Sequence, residues 1–230
     1  MTILNNLWLR LISFGFYLLY HQLAPTYDVV SWIVSFGNWR TWQSAALPFI
    51  KGSDVLELAH GPGHMLLALQ AAGCNVTGAD LSPQMGRLAR QKIRAAAAPV
   101  HLLQAPAQNL PLTSGSFDTV LTTFPTEFIA EQATLDEVYR VLRKNGRFVI
   151  LPQARLTGGS AAVRVLENLY RITGQRNIPE PGHEQYPAIP RFRDLQERFT
   201  AAGFDVRMER VQQPGSEVII LIAARRDRSG

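Results

Sequence analysis

Glu57, Gly61, Gly63 and Asp80 have the types and spacing to hold a small charged ligand in this 230-residue chain. Gly61 and Gly63 form a G-x-G turn directly after an apolar run, and a helical pattern starts at once behind them. Such a turn lets a ligand approach the backbone and sets it at the positive end of a helix. Asp80 follows Gly61 by 19 residues, the separation at which a carboxylate ending the next strand can accept both hydroxyls of a ribose. Its alternative role is to cap the helix starting at Pro83, for which Ser82 is better placed. Glu57 stands inside the apolar run, where it would repel a pyrophosphate and favour a cationic ligand. Leu66 occupies the position where a dinucleotide turn has its third glycine. The pattern fits a ligand with a ribose and no phosphates better than a dinucleotide.

A strand, a turn and a helix must position these residues, and the sequence from Ser53 onward supplies them in alternation. Apolar runs at 54–59, 75–80, 100–105, 116–124 and 147–151 read as strands of a parallel sheet. Helical patterns fill 64–73, 82–98 and 131–146, the second with Ser82 as N-cap and Pro83 at its first turn, the last closed by Gly146. After Pro152 a helical stretch and a Pro-rich loop read as an insertion over 153–190, and a helix follows over 192–203. The last two runs, 204–212 and 216–224, are separated only by Gln-Pro-Gly, too short for a crossover, so they form an antiparallel hairpin. The expected fold is α/β: a Rossmann-like sheet of seven mostly parallel strands, helices on both faces, and an N-terminal helical extension. Its domains are an N-terminal segment 1–50, a main domain 51–224 and a tail 225–230.

The first 50 residues differ from the rest in composition. They carry 11 of the 21 aromatic residues but only three charges, Arg10, Asp28 and Arg40. Ile3 to Tyr20 is apolar enough to approach the minimum length of a bilayer span, yet Asn5, Asn6, Arg10 and Ser13 interrupt it. A lid packed over the domain, an interfacial membrane contact through residues 1–24 and a span all remain open. The chain as a whole is 47% hydrophobic and 18% charged, with mean hydropathy −0.01, which excludes a disordered or polytopic membrane protein. Cys74 is the single cysteine. An internal disulfide or cysteine-rich zinc site is therefore excluded, no metal is expected, and a cytoplasmic location is, with contact to the inner face of a membrane as its extension.

The ordered motifs resemble those of the class I S-adenosylmethionine-dependent methyltransferases, specifically the small-molecule group with the ubiquinone/menaquinone C-methyltransferases. VLELAHGPGHM resembles the family's acidic and glycine-rich motif, GADLSPQMGRLAR its ribose-binding strand end, and LLQAPAQNLPLTSGSFDTVLTTF its adenine-side loop and fourth strand. EVYRVLRKNGRFVI resembles the helix and strand that follow, and APTYDVVSWIVSFGNWRTW the Tyr-Asp entry helices. The resemblance spans roughly residues 27–223 and implies S-adenosylmethionine as cofactor. It places Glu57 near the cofactor's amino group, and Ala59, His60, Gly61 and Gly63 along its methionine and ribose. It places Asp80 on the ribose, Leu81 against adenine, Ala107 and Gln108 at the adenine edge, and Thr123 and Phe124 before the sulfonium. Two positions depart from the family: Ala59 replaces its first glycine, and Pro106 replaces an aspartate that accepts from the adenine amine.

Methyl transfer from a sulfonium is an in-line displacement that positioning and desolvation can drive, and a base helps when the acceptor is a hydroxyl or an acidic ring carbon. Glu127, just beyond the fourth strand, is the first candidate base, with helix capping or pairing to an arginine as its alternative. Tyr27 and His183 complete the catalytic set. His60, His64 and Tyr186 are further candidates, His60 also reading as a residue that positions the turn. Helix 82–98 carries Arg87, Arg90, Lys92 and Arg94 without an acid. This reads as a solvated face rather than a nucleic-acid site because no aromatic residues interleave with it, and anionic lipid headgroups are a third reading. The expected activity is methyl transfer to a small apolar, lipid-like or quinone-like acceptor. A nucleotide-linked oxidoreductase, a non-catalytic cofactor-binding module and an RNA methyltransferase remain as alternatives.

Overall fold

The computed structural model of the chain describes residues 27–157 and 192–227. His183 and Tyr186, most of the expected insertion, and the apolar segment up to residue 24 lie outside the described residues. The chain enters through α1 (Tyr27–Ser35), α2 (Trp39–Ser44) and a short 3-10 turn (Leu47–Phe49). Then β1 (Asp54–Leu58), α3 (His64–Ala71), β2 (Asn75–Asp80), α4 (Pro83–Ala95), β3 (Val100–Gln104) and β4 (Phe117–Thr123) alternate as the sequence pattern requires. A 3-10 turn (Glu127–Ala130) leads into α5 (Gln132–Val141) and β5 (Leu142–Leu156). The described chain closes with α6 (Phe192–Ala201), β6 (Phe204–Gln213) and β7 (Ser216–Arg225).

The seven strands form one sheet in the order β3-β2-β1-β4-β5-β7-β6. β1 pairs parallel with both β2 and β4, so the strand order reverses between β1 and β4. In open α/β sheets that reversal opens a crevice beyond the carboxyl ends of the strands. β7 runs antiparallel to β5 and β6, and Gly215, at φ 69°, supplies the left-handed residue of the two-residue hairpin turn.

Each face of the sheet carries its own core. On one, Met65, Leu66 and Leu69 of α3 and Ala89 and Ile93 of α4 pack with Val55, Val76, Leu121 and Val149, joined by Trp42 of α2. On the other, Leu135 and Val138 of α5 and Leu195 and Phe199 of α6 pack with Leu56, Leu58, Val120, Phe148 and Ile150. Burial on both sides explains why the central strands are apolar throughout rather than alternating. Trp42 Nε1 donates to the buried Ser216 Oγ at 2.9 Å, which ties α2 to the start of β7.

Three boundaries differ from the sequence expectation. The helix expected over 131–146 ends at Val141, and Leu142 already pairs with Phe117 before a register irregularity between Phe117 and Thr119. Arg143 is drawn to Asp54 at 2.7 Å and Asp118 at 2.8 Å, and Asn145 turns through φ 60°, so these residues bulge from the strand instead of extending the helix. β5 also runs past Pro152 to Leu156. The register against β7 shifts between Ile150 and Gln153, where a proline without an N–H can be accommodated. β5 therefore continues beyond residue 153, where the sequence pattern places the start of an insertion, and β7 includes Arg225, which the sequence pattern places in the tail.

Candidate active site

The crevice at the reversal point is a cleft of about 370 Å³. β1 and its turn contribute Ala59 and Gly61, the end of β2 contributes Ala79 to Ser82, and the loop after β3 contributes Ala105 to Gln108. Thr123, Phe124, Pro125, Thr126 and Phe128 close it beyond β4. Eight of the residues expected at the cofactor thus meet in one place: Ala59, Gly61, Asp80, Leu81, Ala107, Gln108, Thr123 and Phe124.

Asp80 is fixed by backbone amides on both sides. Its Oδ2 accepts from the Gly61 N–H at 2.8 Å and its Oδ1 from the Ser82 N–H at 2.8 Å. The cap of α4 is Ser82, whose Oγ accepts from the Met85 N–H at 3.2 Å, so Asp80 is free of that task. Gly61 sits at φ 55°, and a Cβ added there would meet nothing within 4 Å. The open space belongs to the cleft.

Gly63 has a different task from the one expected. It does not line the cleft; a Cβ there would lie 2.9 Å from the Ala89 Cβ, so its smallness lets α3 pack on α4. His60 also lies beneath the cleft rather than in its wall. Its Nδ1 is 2.7 Å from the Gly61 carbonyl, to which it donates as the Nδ1–H tautomer, while its Nε2 is buried without a partner. Burial pushes the imidazole below its ordinary range, against the Asp80 charge and the Gly61 carbonyl.

Glu57 is 1% exposed, and neither carboxyl oxygen has a partner. Burial, and then the nearby Asp80 charge, pushes its pKa well above the usual carboxylate range. An orphaned acid directly under the glycine turn is an unmet demand for a donor or cation.

Two non-glycine residues of the cleft adopt left-handed backbone, Ala59 at φ 53° and Phe124 at φ 51°. They follow adjacent strands, β1 and β4, and strain of this kind collects where a site over-determines its backbone. The Phe124 ring stacks on Trp39 with centroids 4.2 Å apart, and Trp42 tilts against it at 6.3 Å. Phe124 lines the cleft, and Trp39 and Trp42 of α2 back its ring.

Glu127 is exposed at the rim, between the lining residues Thr126 and Phe128. Tyr27 begins α1. His64 is directed away from the cleft: its Nε2 lies 2.8 Å from Asp28 Oδ1, and Lys92 Nζ lies 2.8 Å from Asp28 Oδ2. Burial raises the Asp28 pKa, but the hydrogen bonds and charges of Lys92 and His64 outweigh it and hold the carboxyl below its ordinary range. Burial lowers the His64 pKa, opposed by its bond to Asp28. Among the described residues no cluster of His, Cys, Asp and Glu could hold a metal.

Sequence reasoning did not single out Gln43. Its Nε2 donates to Thr123 Oγ1 at 2.9 Å, and its Oε1 is buried without a partner. A lone glutamine at the end of an aromatic helix carries no motif, and only the fold brings it to β4.

Residues 56–150 match the family described as "Methyltransferase domain". The chain is 32% identical over 210 residues to a demethylmenaquinone methyltransferase of Thermus thermophilus, which covers 83% of this chain and 93% of that protein. It is 30% identical over 203 residues to a demethylmenaquinone methyltransferase of Deinococcus radiodurans, covering 82% and 84%. Among solved structures, an S-adenosylmethionine-dependent methyltransferase of Thermotoga maritima superposes with a TM-score of 0.60 at 19% identity, covering 90% and 97% of the two chains. The cleft at the strand reversal, the antiparallel last strand and these relatives lead to one conclusion: the chain is a class I S-adenosylmethionine-dependent methyltransferase and belongs to the small-molecule family of the demethylmenaquinone and ubiquinone/menaquinone C-methyltransferases.

Proposed function

We propose that the acceptor is a quinone-like ring in its hydroquinone form, methylated at a ring carbon. The observation that carries this reading is the aromatic lining of the cleft by Phe124 and Phe128, Phe124 being backed by Trp39 at 4.2 Å, which suits a flat apolar ring. The names of the Thermus and Deinococcus relatives support it.

The residues present fit S-adenosylmethionine. Asp80, held by two amides, keeps lone pairs for the ribose hydroxyls. The open side of Gly61 leaves room for the ligand's body, and the partnerless carboxyl of Glu57 is matched by the cofactor's ammonium. Gln108 donates through Nε2 to Glu131 Oε2 at 2.7 Å. Its Oε1 then serves as the acceptor for the adenine amine that Pro106 cannot provide.

When bound, the cofactor supplies a methyl group on a positively charged sulfur. The chain's own residues supply position and dryness. Phe124, Pro125 and Phe128 exclude water from the reacting face, and Gln43 orients the Thr123 hydroxyl at its edge. Glu127, with its exposed carboxylate at the rim, takes the acceptor's proton.

The test is methyl transfer from labelled S-adenosylmethionine to a reduced, water-soluble naphthoquinone lacking the ring methyl. A labelled methyl group bonded to the ring carbon is expected; binding of the cofactor without turnover on any such ring would overturn the acceptor assignment. Glu127→Gln is expected to lower kcat by about 100-fold or more, the usual scale of a lost general base, with S-adenosylhomocysteine affinity unchanged. Equal loss of both would assign Glu127 a structural role.

A further inference from the structure

We propose that His60 is a positioning residue which, acting through Gly61, sets how firmly Asp80 is presented to a ribose; this builds on the assignment of Asp80 to the ribose hydroxyls. His60 itself does not line the cleft.

The first observation is how the glycine turn is held. The Gly63 N–H donates to the His60 carbonyl at 3.1 Å, which closes a four-residue turn with Gly61 and Pro62 at its centre. Pro62 brings no N–H, so the peptide between Gly61 and Pro62 has a single hydrogen-bonding group, the Gly61 carbonyl. His60 Nδ1 donates to it at 2.7 Å. On the other side of the same residue the Gly61 N–H donates to Asp80 Oδ2 at 2.8 Å. Gly61, at φ 55° and without a side chain to pack, is thus fixed by two bonds, one from an imidazole and one to the acid assigned to ribose.

The second observation is a seat made for the ring. His60 is 4% exposed, and a Cβ at Gly78 would lie 2.8 Å from its Cδ2 and 2.9 Å from Leu66 Cδ2. Gly78 stands in β2 two residues before Asp80, so the strand that carries the acid also leaves the room for the histidine. Packing alone does not call for an imidazole there. Its Nε2 is buried without a partner, a cost that a leucine of similar volume would not carry. What leucine lacks is the Nδ1 donor.

These bonds form one chain. Asp80 has two anchors, the N–H groups of Gly61 and Ser82, and a carboxylate held at both oxygens does not turn about its Cβ–Cγ bond. Once the Gly61 carbonyl is released, its neighbouring N–H swings free, Oδ2 loses its anchor, and the lone pairs offered to the ribose lose their direction. The cleft walls after β3 and β4 lie outside this chain of bonds.

The test compares S-adenosylhomocysteine with its 2′,3′-dideoxy analogue by calorimetry on the full chain. The wild type should prefer the ligand with hydroxyls. His60→Leu should lower affinity for S-adenosylhomocysteine roughly 5- to 10-fold, the scale of one lost hydrogen bond, and leave the dideoxy analogue within about twofold. His60→Asn, whose Nδ2–H is also borne on Cγ, should recover most of that loss. A leucine variant that binds both ligands like the wild type or loses both equally, or an asparagine variant no better than leucine, would overturn the role of His60. A wild type indifferent to the hydroxyls would instead overturn the assignment of Asp80 to ribose, and the chain of bonds would lose its object. Nitrogen NMR of the wild-type ring provides a measurement free of any folding defect: a proton on Nδ1 and a bare Nε2 are expected at neutral pH, and the opposite tautomer would overturn the clamp.

Discussion

At the scale of single residues the cofactor cleft separates groups that touch a ligand from groups that hold the turn. On the proposed reading Asp80 does both, because the carboxylate assigned to the ribose also accepts from Gly61 and Ser82. Asp80→Ala should therefore weaken S-adenosylhomocysteine by about 10- to 100-fold, the range for hydrogen bonds to a charged group, and also lower the melting temperature of the apoprotein. Gln108→Leu should reduce affinity alone, since among the described residues the Gln108 side chain bonds only to Glu131, exposed at the start of α5. Calorimetry and thermal melting of the two variants distinguish these roles, and an Asp80→Ala protein with unaltered melting would remove the structural half of the argument. Ala59 makes a third case. At φ 53° a residue with a Cβ pays roughly 1–2 kcal/mol for left-handed backbone, which explains why relatives of the motif have glycine there.

At the scale of elements, the strand-turn-helix order was legible because each piece is a local pattern: apolar runs, Gly61 and Gly63, Ser82 and Pro83, the short Gln-Pro-Gly hairpin. What escaped was set by distant partners. Arg143 leaves the helical pattern because Asp54 and Asp118 lie across the sheet, and β5 continues past Pro152 because β7 is there to pair with it. Eight of the residues expected at the cofactor were legible through their motif and line one cleft, whereas Gln43 was not, having no local signature. Gly63 was legible as a glycine but not as a packing glycine, since Ala89 comes close only once α3 and α4 are laid on the same face. That gives a test at this scale. Gly63→Ala should destabilise the domain by about 2–4 kcal/mol, combining the cost of φ 84° with the overlap against Ala89. Adding Ala89→Gly should restore the overlap part only, as read by denaturant unfolding; complete restoration would mean that the backbone conformation costs nothing.

Across the whole molecule, buried titratable groups link folding, pH and the cofactor. His60 and His64 have lowered folded pKa values, so the unfolded chain binds protons more readily, and their contribution is complete above about pH 6.5 and lost as pH falls through the folded values. Glu57 has the opposite sign. Its folded pKa is raised, so the folded chain holds the proton longer, and stability from this group declines as pH rises from the unfolded carboxylate value through the folded one. A ligand ammonium beside Glu57 favours the carboxylate form and reverses that decline. Binding should therefore release protons, and the stabilisation by S-adenosylhomocysteine, which keeps the ammonium, should grow as pH rises above the ordinary carboxylate range. Calorimetry in buffers of different ionisation enthalpy should read a net proton release on binding. In Glu57→Gln this release and its pH dependence should vanish while affinity drops by about 10- to 100-fold. A wild-type enzyme that binds with no proton exchange would show that Glu57 stays neutral in the complex and that the ammonium is held elsewhere.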